Sequence, residues 1–284
     1  MDNHEKITVY SPESGIRNPK QLFGDMWSDL LSSRSLGWRL FLRNIRGMYR
    51  QSLLGIFWAF IPPIMTTAVW VFLNGQKIIQ IDTPDVPYPA FVLTSTLLWS
   101  IFAQSLVMPI NALNSGKAMM KKINFPKESL ILAGILQVGF DFLIKLSLII
   151  VVYIVFSVSP PVTALIAPVG LIMLMLLGIS IGLVFVPLGM LYTDIQRLLA
   201  AILPFWMLLT PVIYPTPRAG IGVLLNKINP VAPILSTTRD WMFSGSPQLL
   251  NEFIVVSIFV IFLFFFGLVL FRLAIPFIIE RSGG

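Results

Sequence analysis

The chain has no cysteine, one histidine (His4) and only 13 acidic residues in 284. Without thiols there is neither a disulfide framework nor a thiolate metal site. One histidine cannot supply the three or four ligands a metal centre needs. No G-x-x-x-x-G-K-[ST] stretch occurs, so the chain has no P-loop to cradle nucleotide phosphates. Charged residues make up 12%, about half the share usual in a soluble domain. The scattered carboxylates leave few parts for an enzyme. A membrane glycan or lipid enzyme working through Asp141 or Asp194 stands as the catalytic alternative. The polar stretch Met1–Gln21 lacks the apolar core of a cleavable signal peptide.

Hydrophobic residues are plentiful, at 56% with a mean hydropathy of +0.84. Six segments are apolar enough to be read as crossing about 30 Å of hydrocarbon: Leu53–Leu73, Tyr88–Ala112, Ser129–Phe156, Val162–Leu191, Leu198–Ile213 and Glu252–Phe271. Fifteen of the 20 Lys and Arg fall on one side of this arrangement: the first 50 residues, Lys117–Lys127, Arg197, Arg272 and Arg281. Positive residues stay cytoplasmic, so both termini are expected inside. The net charge of +7 is thus a topology signal, with no nucleic-acid partner implied. The expected fold is an all-α integral membrane protein with six transmembrane helices, N-in and C-in. Its parts are a polar tail (1–21), amphipathic interfacial helices (22–50), a membrane domain (51–272) and a cytoplasmic tail (273–284).

Two cytoplasmic features are patterned. Leu22, Phe23, Met26, Trp27, Leu30 and Leu31 share one helical face; after a break around Ser32–Gly37, Trp38, Phe41, Leu42, Ile45, Met48 and Tyr49 form a second stripe. Arg39, Arg43, Arg46 and Arg50 recur opposite that stripe, as in a helix lying in the headgroup plane. Between spans two and three, within the loop 113–128, Ser115 is placed to cap a short helix running to Lys122, ended by Pro126. That helix presents Lys117, Met119, Met120, Lys121 and Lys122 to a partner's groove, or is an ordinary basic loop.

Inside the membrane, Asp141 and Lys145 stand at i, i+4, either a self-neutralising pair or a polar spot on a translocation path. Asp194 and Arg197 form a second near pair. Gly178-Ile-Ser-Ile-Gly182, flanked by Gly170 and Gly189, allows close helix packing within one subunit or between two. After span five, Pro211-Val-Ile-Tyr-Pro-Thr-Pro-Arg-Ala-Gly220 breaks any helix. Two short apolar runs follow, Ala219–Leu225 and Val231–Leu235. Each is too short to span, so 214–247 reads as re-entrant helices, a plain extracytoplasmic loop being the alternative.

In sequence order, three stretches resemble one family. Arg46-Gly-Met-Tyr-Arg-Gln-Ser-Leu-Leu-Gly-Ile-Phe-Trp leads into the first span; Leu191-Tyr-Thr-Asp194 stands where an aromatic-Arg-Asp triplet is usual, with Thr193 replacing the Arg. Pro211–Pro215 followed by Asn229-Pro-Val-Ala-Pro233 completes the set. Together they resemble the membrane subunit of ABC-2-type exporters, specifically the polysaccharide group that exports O antigen, capsule or teichoic acid. The resemblance implies a homodimer with two copies of a separate cytoplasmic ATPase, which would bind ATP and Mg while this chain binds no cofactor. It implies that Trp38–Tyr49 and Ser115–Lys122 contact those ATPases. It further implies a glycan on a polyprenyl diphosphate as substrate, moved through a channel at the dimer interface with an outer gate between spans five and six. Trp99, Phe102, Trp206, Pro211, Tyr214 and Pro215 are the candidate channel or gate residues, interfacial anchoring being the alternative for the aromatics. Arg39, Arg43, Arg46 and Arg50 are candidates for attracting the lipid diphosphate. An ABC-2 exporter of drugs or another lipid would share these motifs.

Overall fold

The computed structural model describes residues 19–50, 52–83, 86–123, 125–217 and 219–283, and these contain nine α-helices and no strand. They are α1 (Pro19–Arg50), α2 (Ile61–Gly75), α3 (Tyr88–Lys122), α4 (Glu128–Val155), α5 (Ala167–Leu191), α6 (Asp194–Leu209), α7 (Ile221–Ile228), α8 (Val231–Phe243) and α9 (Leu250–Gly283). Most of the tail before residue 22, with His4, lies outside the described residues, as do the side chains of Leu22, Phe23, Met26, Trp27 and Leu30.

Four helices are long and apolar enough to cross a membrane: α3, α4, α5 and α9. Their burial separates two roles. In its apolar window α3 is 72% buried within the chain, while α9 is 17% buried. Accordingly α3 is the core of the bundle, packed on α5, α4 and α2. The outer side of α9, with Val255, Ile258, Phe259 and Phe262 exposed, is a surface suited to lipid. The other two expected spans are short. A 3₁₀ turn at Gly55–Ala59 precedes α2, which begins only at Ile61 with prolines in its first turn and is 15 residues, roughly 23 Å, long. Helix α6 has 16 residues and stops at Leu209, two residues before Pro211.

The contacts of the long helices α3, α4, α5 and α9 give the bundle a basic end and a far end. The C-terminus of α3, the N-terminus of α4 and Arg272 of α9 are at the basic end. There Arg272 Nη2 donates to Asp29 of α1 at 2.8 Å, and Arg272 Nη1 lies 3.8 Å from Glu128 of α4. At the far end the Tyr153 hydroxyl of α4 donates to Met242 O of α8, and Thr163 Oγ1 to Trp241 O.

Two local expectations are corrected. The break around Ser32–Gly37 is absent and α1 is one helix. Its small residues serve packing instead: Ser33 is fully buried, and a Cβ on Gly37 would sit 2.9 Å from Leu132 Cδ2 of α4. Nor is Ser115–Lys122 a separate capped helix. It forms the last turns of α3, and Ser115 Oγ back-bonds to Ala112 O at 2.8 Å rather than capping.

The glycine series belongs to intrachain packing. Cβ atoms on Gly178 and Gly182 would strike the α3 backbone at Phe102, Leu106 and the Pro109 ring, and one on Gly189 would meet Ile110. Gly178-Ile-Ser-Ile-Gly182 also spells G-x-S-x-G, the lettering of a hydrolase nucleophile. That motif requires a sharp strand-to-helix turn. Here Ser180 is mid-helix, fully buried and bonded to Leu176 O, so it is no nucleophile elbow.

Candidate functional site

Three sequence-flagged positions from separate segments line one cavity of about 680 Å³: Arg43 of α1, Ser115 of α3 and Asp141 of α4. Asn44, Gln104, Asn111 and Gln137 add polar lining. Arg43 Nη2 donates to Asn44 Oδ1 at 3.2 Å, and Gln196 of α6 reaches Asn111 Oδ1 at 3.1 Å. The chamber offers donors and acceptors between otherwise apolar helices, a mixture able to hold a polar group beside an apolar one. Arg39, Arg46 and Arg50 are exposed on α1 and do not line it.

Asp141 and Lys145 do not close a direct ion pair. Asp141 faces the cavity, whereas Lys145 is 1% exposed, with its Nζ buried and without a hydrogen-bond partner among the described residues. Asp194 and Arg197 do meet, at 3.4 Å, but both side chains are over 80% exposed, so the pair contributes little.

At the basic end, Met120 is buried in the chain's own core and Met119 is partly buried, contrary to the expectation that both are exposed. Continuation of the α3 helix turns these side chains inward. Lys122 is exposed and Lys117 partly so; the side chain of Lys121 lies outside the described residues. Burial lowers the Lys127 ammonium from its ordinary value, with neighbouring Glu128 opposing the shift. Lys127 is also held over the Phe125 ring at 4.4 Å.

Toward the far end, three of the candidate channel or gate aromatics converge. Phe102 stacks edge-on to Trp206 with centroids 5.2 Å apart, and Trp99 lies 5.2 Å from Phe102 and 6.3 Å from Trp206. Trp99 and Phe102 are buried inside the chain. Trp206 Nε1 donates to Asn229 Oδ1 at 3.0 Å, and Asn229 Nδ2 donates to Thr210 Oγ1 at 2.8 Å. Asn229 thereby ties α6 to the chain that follows the breakers. The Pro211 stretch is pinned from three more sides. Tyr88 hydroxyl donates to Ile213 O, Arg239 Nη1 to Pro211 O at 2.6 Å, and Tyr214 hydroxyl to Leu208 O. Pro215 borders a second cavity at this end. Removing both arms of Asn229 leaves Thr210 and Trp206 without these partners, so Asn229→Ala should cost about 1–3 kcal/mol. Thermal unfolding in detergent reads this; a melting point equal to the parent's would mean the clamp carries no load.

Sequence reasoning missed Asn229, Arg239 and Arg272 as functional anchors. Each had a signal: Asn229 opens the Asn-Pro pair that follows the breakers, Arg239 follows the short apolar run Val231–Leu235, and Arg272 is the one charge between Glu252 and Glu280.

An all-helical bundle in which four helices are long and apolar enough to cross a membrane narrows the families, and comparison with known proteins decides among them. The family model described as ABC-2 type transporter matches residues 36–243. The chain belongs to the ABC-2 type transporter family. This ABC-2 chain is a multi-pass protein of the bacterial inner membrane. It is 24% identical over 212 residues to an O-antigen export system permease protein, RfbA, of Myxococcus xanthus, which covers 74% of this chain and 80% of the relative. An RfbA of Klebsiella pneumoniae is 22% identical over 72% of this chain and 78% of the relative. A polysialic acid transport protein, KpsM, of Escherichia coli is 21% identical over 82% and 91% respectively. These names support a polysaccharide exporter permease for the ABC-2 chain.

Proposed function

We propose that the chain is the non-catalytic membrane subunit of an ATP-driven exporter that carries a lipid-linked cell-surface glycan across the cytoplasmic membrane. The observation that carries this reading is the pairing of ABC-2 membership with the polar chamber under α1. A chamber that mixes Arg43, amides and Asp141 suits sugar hydroxyls and a diphosphate, with the polyprenyl chain left in lipid. All six apolar helices cross or enter the bilayer in this reading, with the Lys-rich end cytoplasmic. The short α7 and buried α8 are the re-entrant pair of the outer gate, and Tyr214 stands at its lip. Two copies pair as a homodimer. A cytoplasmic ATPase, which holds the ATP and Mg, docks on α1 and on the Lys117–Lys122 end of α3, where exposed Lys122 offers the contact.

Depletion of the protein tests the transport step: lipid-linked glycan should accumulate on the cytoplasmic side, and unchanged glycan display at the surface would sink the proposal. A drug or other-lipid exporter would leave glycan untouched in the same experiment. The role of Arg43 is tested separately. Each Arg near an anionic headgroup is worth about 1 kcal/mol, so Arg43→Gln should reduce export roughly fivefold while ATPase co-purification persists. Full export by Arg39, Arg43 and Arg46 glutamine variants would remove the basic face from substrate attraction.

A further inference from the structure

The far end of the bundle holds a cavity of about 790 Å³ that the export reading above does not use. It sits between the start of α3, the end of α8 and the loop leading to α9, at the opposite end of α3 from Lys122. The volume lies within the roughly 300–1,000 Å³ of small-ligand sites. Among its lining residues are Asp82, Phe91, Thr216, Arg239, Asp240 and Ser246.

Arg239 makes this a built site. It is 3% exposed, its guanidinium carbon lies 4.2 Å from the centre of the Phe91 ring, and its Nη1 donates to Pro211 O and, at 3.3 Å, to Ser95 Oγ. The guanidinium is therefore fixed in direction. Asp240 is likewise oriented, because its Oδ2 accepts from Gln248 N at 3.2 Å.

The set of groups selects its ligand. Carboxylates only accept and a guanidinium only donates, whereas hydroxyls do both. A ligand that satisfies all of them must donate and accept from closely spaced groups, as a sugar's vicinal hydroxyls do. Among the described lining residues, two carboxylates stand against one guanidinium, a balance that disfavours a phosphate or diphosphate. The Phe91 ring carries the Arg239 guanidinium on its face and so fixes the donor rather than offering a stacking surface.

The geometry points to a second, outward-facing station for neutral sugar units of the glycan, distinct from the diphosphate-suited chamber at the basic end. It rests on the glycan-export reading. Its position has a consequence for gating, since Arg239 holds both the sugar cavity and the Pro211 carbonyl. A sugar bound there stiffens the same contact that secures the breaker stretch.

A photo-crosslinking amino acid placed at Gln248, an exposed rim position, tests the station in cells that make their native surface glycan. Irradiation should give a glycan-bearing adduct, detected by periodate staining. Asp82→Asn removes a charged acceptor at an exposed position and should cut the adduct at least about tenfold, the effect of losing one charge-assisted hydrogen bond. Ser246→Trp, also at an exposed position, fills the cavity and should abolish the adduct. If depletion halts glycan display yet no adduct forms, or the adduct survives both variants, the station is overturned while export stands. If display is insensitive to depletion, the export reading fails instead, and an adduct that still responds to both variants would keep the sugar site alone.

Discussion

Gly178→Ala should lower the thermal stability of the solubilised protein, and Gly178→Leu combined with Gly182→Leu should leave no folded material. The cause is the seam between α3 and α5, the most extensive helix pair in the structure. A methyl on Gly178 would sit 2.6 Å from the Phe102 carbonyl oxygen and 2.9 Å from Leu106 N. Those atoms are helix backbone and cannot swing aside. In lipid, helices gain little from the hydrophobic effect and depend on this closeness. Overpacking a tight interior costs about 1–3 kcal/mol per site, so the single alanine is measurable and the paired leucines exceed what the seam tolerates. Gly139→Ala is the control, because nothing lies within 4 Å of its new methyl. It should be neutral or slightly stabilising, given alanine's better helix propensity. Equal melting points for Gly178→Ala and Gly139→Ala would show that the seam can open without cost.

The second large effect is expected at Arg272. Its guanidinium is 10% exposed and sits between Asp29 and Glu128, whose side chains are 16% and 14% exposed. Arg272→Met removes the guanidinium between two nearly buried carboxylates that repel one another. Removing one partner from a buried ionic group costs about 3–5 kcal/mol. The loss should appear as a lower melting point and lower steady-state abundance in membranes. Combining Arg272→Met with Asp29→Asn and Glu128→Gln removes the stranded charge, and should recover a substantial part of that loss. If the triple variant is no better than Arg272→Met, packing of the arginine stem rather than charge is what matters there.

How much of this was legible in the residues depends on the range of the interactions involved. The apolar runs marked α3, α4, α5 and α9 correctly, because hydrocarbon thickness acts on each helix independently. Ends were less readable. Hydropathy places the end of span two near Ala112, whereas α3 continues to Lys122, since Asn111–Lys122 is polar yet still a sound helix former outside lipid. That continuation turns Met120 inward and removes it from the surface expected to meet a partner. The serine and glycine run in α1 reads as a break by propensity, but tertiary packing against Leu132 overrides it. Pro211 was read correctly as a terminator, while the clamp that holds it was not. Tyr88, Asn229 and Arg239 reach that stretch from distances in sequence that no local pattern encodes. Likewise Arg43, Ser115 and Asp141 were each flagged alone, and only the fold places them around one chamber.

The contact between Asp29 and Arg272 spans 243 positions along the chain. At about 5–20 residues per second of synthesis, roughly ten to fifty seconds separate the two residues during translation. Through that interval the first helix rests on α4 without the Arg272 contact to Asp29 and Glu128. The newborn molecule is consequently secured last where it began first, when the final helix is laid down.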